Sequence, residues 1–320
     1  MAWNQVLTAI GLTALVATPA ARAAEQPLPY PVRVVTLVTH SSPGGGSDVF
    51  LRELTRYLLK YIDATFIVEN AEGGSGAKAM SRVASARADG SVLYASTPTY
   101  IMTSLLSQPG HTYRDLEPVV NFFLDTEVVY TRADGPYRTL EDVLDHARRG
   151  RGRWGAANPS SLERQAAERL RAAAGVDAGI VPHNGGGDLM INILNGTLEM
   201  GVGEMDELRS QLAGGTVRVL ATFGSERIPT HPDVPTVKEA GYDVELEKFR
   251  GLAGPKGLPP EVIRIWNEAA QKVLADAEYR ERYLAGNLKP RFMPHEQFVP
   301  FIAQVAEETA ALYAAAGVTR

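Results

Sequence analysis

Neutral hydrogen-bond donors gather at two glycine-rich turns early in the chain, Ser41-Ser42-Pro43-Gly44-Gly45-Gly46-Ser47-Asp48 and Glu72-Gly73-Gly74-Ser75-Gly76. Glycines let bare backbone N–H groups converge, and a helix N-terminus behind them adds partial positive charge, so such turns suit an anion. Two further turns of this kind lie in the middle of the chain, Ala157-Asn158-Pro159-Ser160-Ser161 and His183-Asn184-Gly185-Gly186-Gly187-Asp188. None of the four contains Lys or Arg, so an anion here would meet amides and the side chains of Ser47, Ser75, Ser160, Ser161 and Asn184. A charge-assisted hydrogen bond nets roughly 1.5–3 kcal/mol, and micromolar affinity needs about 8 kcal/mol before binding costs. About four to six such bonds therefore suffice without a cationic side chain. One glycine turn is explained by tight chain reversal alone; four at equivalent positions point to a ligand.

Other side chains join this set. Thr97 caps the next strand-to-helix turn, and Glu204 follows a short strand that ends toward the same region; Glu204 reads equally well as a helix cap. Asp48 stands in a first helical turn, where the dipole stabilises a carboxylate whether or not it orients a ligand. His40 and His183 end strands beside glycine turns, and Arg250 is the best cationic candidate for a ligand carboxylate, with a surface ion pair as its plainer reading. Other chemistries fail on spacing. No Gly-Lys-Ser/Thr phosphate loop follows Gly44-Gly45-Gly46, and Gly73-Gly74-Ser75-Gly76-Ala77 lacks the last glycine of a nucleophile elbow. The six histidines form no pair at metal-ligand spacing, and there is no cysteine. No catalytic residue, metal or cofactor is expected.

The elements that position these turns alternate. Apolar runs at 32–38, 65–68, 91–95, 119–124, 127–131, 154–157, 179–182, 200–203, 217–223 and 249–253 read as strands. Most are followed by helical spacing, as in Leu51, Leu54 and Leu58, or Val262, Ile263, Trp266, Ala270, Val273 and Leu274. A last helix spans 295–315, and the proline-rich stretch 228–235 reads as a linker. This alternation predicts an α/β protein of two lobes, each a mostly parallel sheet flanked by helices, with the ligand cleft between them. The lobes are expected at 24–125 plus 248–320 and at 126–247. With 320 residues, 45% of them hydrophobic, the chain can bury two cores. A net charge of −5 without a basic run excludes a nucleic-acid partner. Residues 1–23 read as an export signal: Val6 to Val16 is apolar but too short to span a bilayer, and Ala21-Arg22-Ala23 is a small-x-small site, with cleavage near Ala23. No Lys or Arg precedes the apolar stretch. A monomer in the periplasm is expected.

From about residue 31 to 318 the chain resembles the tripartite tricarboxylate transporter receptors, the Bug-type extracytoplasmic solute receptors. The resemblance is carried by Pro43-Gly44-Gly45-Gly46-Ser47-Asp48, Val68-Glu69-Asn70 with Gly73-Gly74-Ser75-Gly76, Ala88-Asp89-Gly90, Leu194-Asn195-Gly196, Val217-Arg218-Val219-Leu220-Ala221, Asp233-Val234-Pro235-Thr236 with Glu239-Ala240-Gly241, and Arg250-Gly251-Leu252-Ala253-Gly254-Pro255-Lys256-Gly257. It implies a type II periplasmic binding protein fold that closes on a small di- or tricarboxylate and delivers it to membrane permease subunits. It also implies that Pro43 to Asp48 and Gly73 to Gly76 grip one carboxylate. The second-lobe pattern departs from the family's Ser-x-Gly-x-Gly-Ser: here stand Ala156-Ala157-Asn158-Pro159-Ser160-Ser161, with Arg164 where a His would fall and His183-Asn184 in place of an aromatic-basic pair. Asn158, Ser160, Ser161, His183, Asn184, Gly185 and Gly186 are the candidate contacts on that side. The alternatives are a receptor that docks on a membrane sensor and a hydrolase using Ser75 or Ser160; the second lacks a base at usable spacing.

Overall fold

The computed structural model describes Met1 and residues 26–150, 152–315 and 317, so the export signal expected at 1–23 lies outside the described residues apart from Met1. The first run of elements is β1 (Leu28–Thr39), α1 (Gly46–Leu58), β2 (Ile62–Asn70), α2 (Ala77–Ala84), β3 (Val92–Ser96), α3 (Pro98–Ser107) and β4 (Leu116–Asp125). The second is β5 (Glu127–Arg132), α4 (Leu140–Arg148), β6 (Gly152–Ala156), α5 (Leu162–Ala173), β7 (Ala178–Pro182), α6 (Gly186–Leu194), β8 (Met200–Glu204), α7 (Met205–Ala213) and β9 (Val217–Thr222). The chain then returns through β10 (Lys248–Pro255), α8 (Pro260–Ala275), α9 (Ala277–Ala285), β11 (Lys289–Met293) and α10 (His295–Ala315).

Two sheets result, in the orders β11-β4-β10-β3-β1-β2 and β7-β6-β8-β5-β9. Both are mixed rather than mostly parallel. In the first, β1 pairs in parallel with β2 and β3, but β10 is antiparallel to β3 and β4, and β11 to β4. In the second, β6 is parallel to β7 and β8, while β5 is antiparallel to β8 and β9. The cause is the crossing geometry. Only Thr126 separates β4 from β5, so β5 begins where β4 ends and runs away from the shared boundary. β10 enters the first sheet from the same boundary and runs away from it in turn.

Each sheet is covered on both faces. Phe50, Leu51 and Leu54 of α1 and Val262, Trp266 and Val273 of α8 pack on one face of the first sheet; Met80, Ile101, Phe298 and Ile302 pack on the other. The second sheet carries Leu144 and Leu170 on one face and Leu189, Ile193 and Leu208 on the other. The 228–235 stretch has no regular structure, yet Ile228 is buried in the cluster of Leu189, Ile193 and Leu208, and Val237, Val244 and Leu246 after it join the cluster of Leu144 and Leu170. It is a packed segment, not a free linker.

β10 sits mid-sheet, so its side of the pleat leaves no spare room. A Cβ on Gly251 would lie 2.6 Å from the Phe298 ring and 2.7 Å from the Val120 carbonyl oxygen. Gly251→Ala is expected to cost about 1–3 kcal/mol by overpacking, read as a lower urea midpoint. An unchanged midpoint would mean that the Phe298 ring swings aside at no cost.

Candidate functional site

All four turns leave the C-terminal ends of strands, where ligands meet open α/β sheets. In the first, Gly44 takes the left-handed conformation at φ 83° and Gly45 caps α1 from extended backbone. Asp48 ties the turn together. Its carboxylate accepts from Gly44 N at 2.9 Å, Arg52 Nε at 2.9 Å and Asn70 Nδ2 at 2.8 Å, and Asn70 Nδ2 also reaches Ser41 O. Burial alone would raise the Asp48 pKa, but these hydrogen bonds hold it below the usual value. Asp48 therefore positions the loop, with its oxygens committed to it. Ser47 is buried in the first turn of α1, and Pro43 is exposed at the tip.

The second turn is unusual in its backbone. Gly73, Gly74, Ser75 and Gly76 have φ of 129°, 58°, 53° and 98°, four consecutive residues in the positive range, including one that bears a side chain. Thr103 Oγ1 holds the strained residue by donating to Ser75 O at 2.6 Å. Beneath Gly76 lies His40, whose Nδ1 is 2.8 Å from Tyr94 Oη. Burial, helped by Lys248 and Arg250, lowers the His40 pKa to about 3, so its ring is neutral. Next along the sheet, Thr97 is buried, but its hydroxyl caps nothing and has no hydrogen-bond partner. Only the backbone of the expected cap forms.

Two of the second-sheet candidates take part in the fold. Ser161 Oγ accepts from Arg164 N at 3.0 Å and so caps α5, which leaves its hydroxyl proton to donate. His183 has Nε2 at 3.1 Å from Asn192 Nδ2 and Nδ1 at 3.4 Å from Ala156 O. Arg164 turns along its helix to Glu168 and to Ile180 O. Asn184 is exposed, Ser160 is buried, and Asn158 is buried with Oδ1 unpartnered. Gly185 and Gly186 begin α6, and here the two sheets' turns meet: a Cβ on Gly185 would lie 2.6 Å from Ser42 N, and Asp188 N is 3.4 Å from Ser42 Oγ. The third turn faces α3, sharing a groove of about 280 Å³ with Leu106, Gln165 and Tyr313.

Neutral donors alone do not describe this region. Under the turns lies a buried charge cluster built where the chain crosses between sheets. Lys248 Nζ is 2.7 Å from Glu163 Oε1 and 3.3 Å from Glu127 Oε1, and it also bonds Glu204 Oε1. Arg250 Nε is 2.7 Å from Asp125 Oδ2, and its Nη2 is 3.1 Å from Glu204 Oε1. Arg250 also reaches the first turn, since a Cβ on Gly46 would lie 2.7 Å from its Nη2. Arg250 is thus no surface ion pair: its side chain is 1% exposed. Burial would raise the Glu204 pKa, but Lys248 and Arg250 pull it down to about 2. Burial wins at Asp125, raised to about 6 against Arg250, and at Glu127 and Glu207, both well above the usual range. Glu127, Glu163 and Glu204 could together hold a metal ion by geometry, but the Lys248 ammonium occupies that position.

Asp125, Glu127, Glu163 and Lys248 were not among the sequence candidates. The available signal was Asp125 and Glu127, two acids inside one long apolar run, and Lys248 with Arg250 alternating along a strand.

Comparison with known proteins gives a consistent relation. A sequence model described as "Tripartite tricarboxylate transporter family receptor" matches residues 50–318. The chain is 26% identical over 315 residues to the "UPF0065 protein in gbd 5'region" of Cupriavidus necator, covering 98% of this chain and 94% of the relative. It is 26% identical over 311 residues to "Protein BugT" of Bordetella pertussis, covering 95% and 94%. Among solved structures, the periplasmic binding protein BugD superposes with a TM-score of 0.85 at 24% identity, covering 91% of this chain and 99% of that one. MatC from Rhodopseudomonas palustris with bound malate gives 0.78 at 25%, covering 89% and 98%.

Proposed function

We infer that this chain, which belongs to the tripartite tricarboxylate transporter receptor family, is a periplasmic receptor that closes on a small organic carboxylate and hands it to the membrane subunits of a tripartite transporter. The observation that carries this reading is the meeting of turns from two sheets, Gly185 against Ser42, beside a second turn with four consecutive positive-φ residues. The malate held by MatC supports the ligand class. In this reading, 24–125 with 248–320 moves as one lobe and 126–247 as the other, after loss of residues 1–23. The protein works as a monomer without a cofactor. A hydrolytic role is disfavoured because the two nearby imidazoles are engaged, His40 with Tyr94 and His183 with Asn192.

Thermal denaturation of the purified protein across a panel of mono-, di- and tricarboxylates, amino acids, sugars and polyamines tests the reading. A carboxylate at about 1,000 times its Kd adds about 4 kcal/mol to folded-state stability, so a clear rise in Tm is expected for at least one. Stabilisation by sugars or polyamines alone would overturn it.

A further inference from the structure

The groove beside the third turn continues well past it. Its walls include Leu106 of α3, Ala172 of α5, and Leu312 and Tyr313 of α10. A second cavity of about 450 Å³ adjoins it and shares Gln165, Arg169 and Leu312 with it. Met102, Leu162, Leu246, Phe301 and Val305 make that cavity apolar. The two together run between helices of both sheets. α3 and α10 pack on the first sheet and α5 on the second, and Tyr313 reaches across to the second sheet's core. The space leads away from the four glycine and serine turns. Arg169 lies about 12 Å along α5 from Ser161, at the helical rise per residue, and α10 follows none of those turns.

One cation in these walls is left over. Arg164 is answered by Glu168. Arg169 is half-buried and makes no hydrogen bond or ion pair among the described residues. Burial lowers its pKa, with the neighbouring Tyr313 phenol acting the other way, but a guanidinium keeps its charge. The Tyr313 hydroxyl has no hydrogen-bond partner among the described residues either. Burial and Glu168 push its pKa up to about 12, so it keeps its proton. Glu247, Glu308 and Arg291 line only the second cavity, and all three are exposed. Two neighbouring donors, one of them charged, therefore look onto apolar walls with no acid of the protein paired to either. A partly desolvated charge is costly without a partner, and beside it Leu312 leaves 38% of its surface exposed.

We propose that this groove is a second binding site, for an amphipathic monoanion: a carboxylate or sulfonate on Arg169 and the Tyr313 hydroxyl, with a medium-length alkyl or aryl body between α3, α5 and α10. A cationic or uncharged amphiphile would leave Arg169 unpaired, and a small polar anion would leave the apolar walls uncovered. Sites for small molecules run to about 300–1,000 Å³, a size that the two adjoining cavities reach together. The site does not depend on what the four turns hold.

The test is fluorescence titration of the purified protein with anilinonaphthalene sulfonate, a dye anion with an aryl body. One saturable site is expected, emptied by octanoate but not by octyl glucoside, octyltrimethylammonium or succinate. Arg169→Gln should weaken dye and octanoate about 10-fold or more, the worth of one charged hydrogen bond. Its urea midpoint should stay native, because no partner is lost. Leu312→Glu, which sets a negative charge in the apolar wall from a partly exposed position, should weaken both as well. Native dye affinity in both variants overturns the proposal. Displacement by succinate, octyl glucoside or octyltrimethylammonium as readily as by octanoate also overturns it. Either failure leaves the receptor reading standing.

Discussion

Lys248→Met is expected to destabilise the folded chain by about 3–5 kcal/mol at neutral pH, the range for breaking a buried ion pair from one side. The substitution keeps the length of the side chain but strands Glu163 and Glu204, both more than nine-tenths buried, and among the described residues only Arg250 remains as a cation paired with either of them. The pH dependence follows from the sign of the shift. In the native chain Glu204 is held at about 2, below its unfolded value near 4.3, so its contribution is present above that value and lost as pH falls toward 2. Without the ammonium, burial dominates and the folded pKa rises above the unfolded one, so the penalty is full at neutral pH and fades as the acids protonate. Urea denaturation at pH 7 and about pH 4 should therefore show the gap between variant and native protein narrowing in acid. A constant gap would mean that the loss is one of packing alone.

Gly187→Ala should separate binding from stability. Gly187 lies in the first turn of α6 without a positive φ, so alanine suits the helix better than glycine by up to about 1 kcal/mol. Its Cβ, however, would press on Pro43 O and stand 3.1 Å from Pro43 C, across the contact between the two sheets' turns. In the receptor reading, where the two lobes part without ligand and close to bury it, the expected result is a Tm equal to or slightly above native with ligand affinity about 100-fold lower. Small-angle scattering with saturating ligand should give a larger radius than the native complex. Native affinity in this variant would show that these turns do not close on each other.

The fold was legible where periodicity was strong. The strands from β1 to β9 and α10 fall close to their sequence-derived positions. α7 was signalled only by the reading of Glu204 as a helix cap, because just Met205, Asp206 and Leu208 are buried, too narrow a face to show as a stripe. β11 was missed because Pro290 and alternating exposure make it a weak edge strand. Strand direction was misjudged because periodicity does not encode which way a strand enters a sheet. At the site, glycine and serine types located all four turns, but whether a polar group is free or spent depends on partners distant in sequence. Ser161 accepts from its own helix, Thr97 is unpartnered, and Glu204 finds Lys248 and Arg250 from beyond the second sheet. A single sequence without the three-dimensional pairing leaves such groups indistinguishable.

The strand order has a temporal side. β10 lies between β3 and β4, yet it is made only after the whole second sheet. The second sheet is contiguous in the chain, from Glu127 to Thr222, and can assemble as soon as that stretch emerges. The first cannot: until residue 255 is available, β3 and β4 have no strand to join them, and the apolar face of α8 is missing. A polypeptide synthesised or threaded N-terminus first thus remains half-built for most of its passage and locks both halves together only when its last quarter arrives.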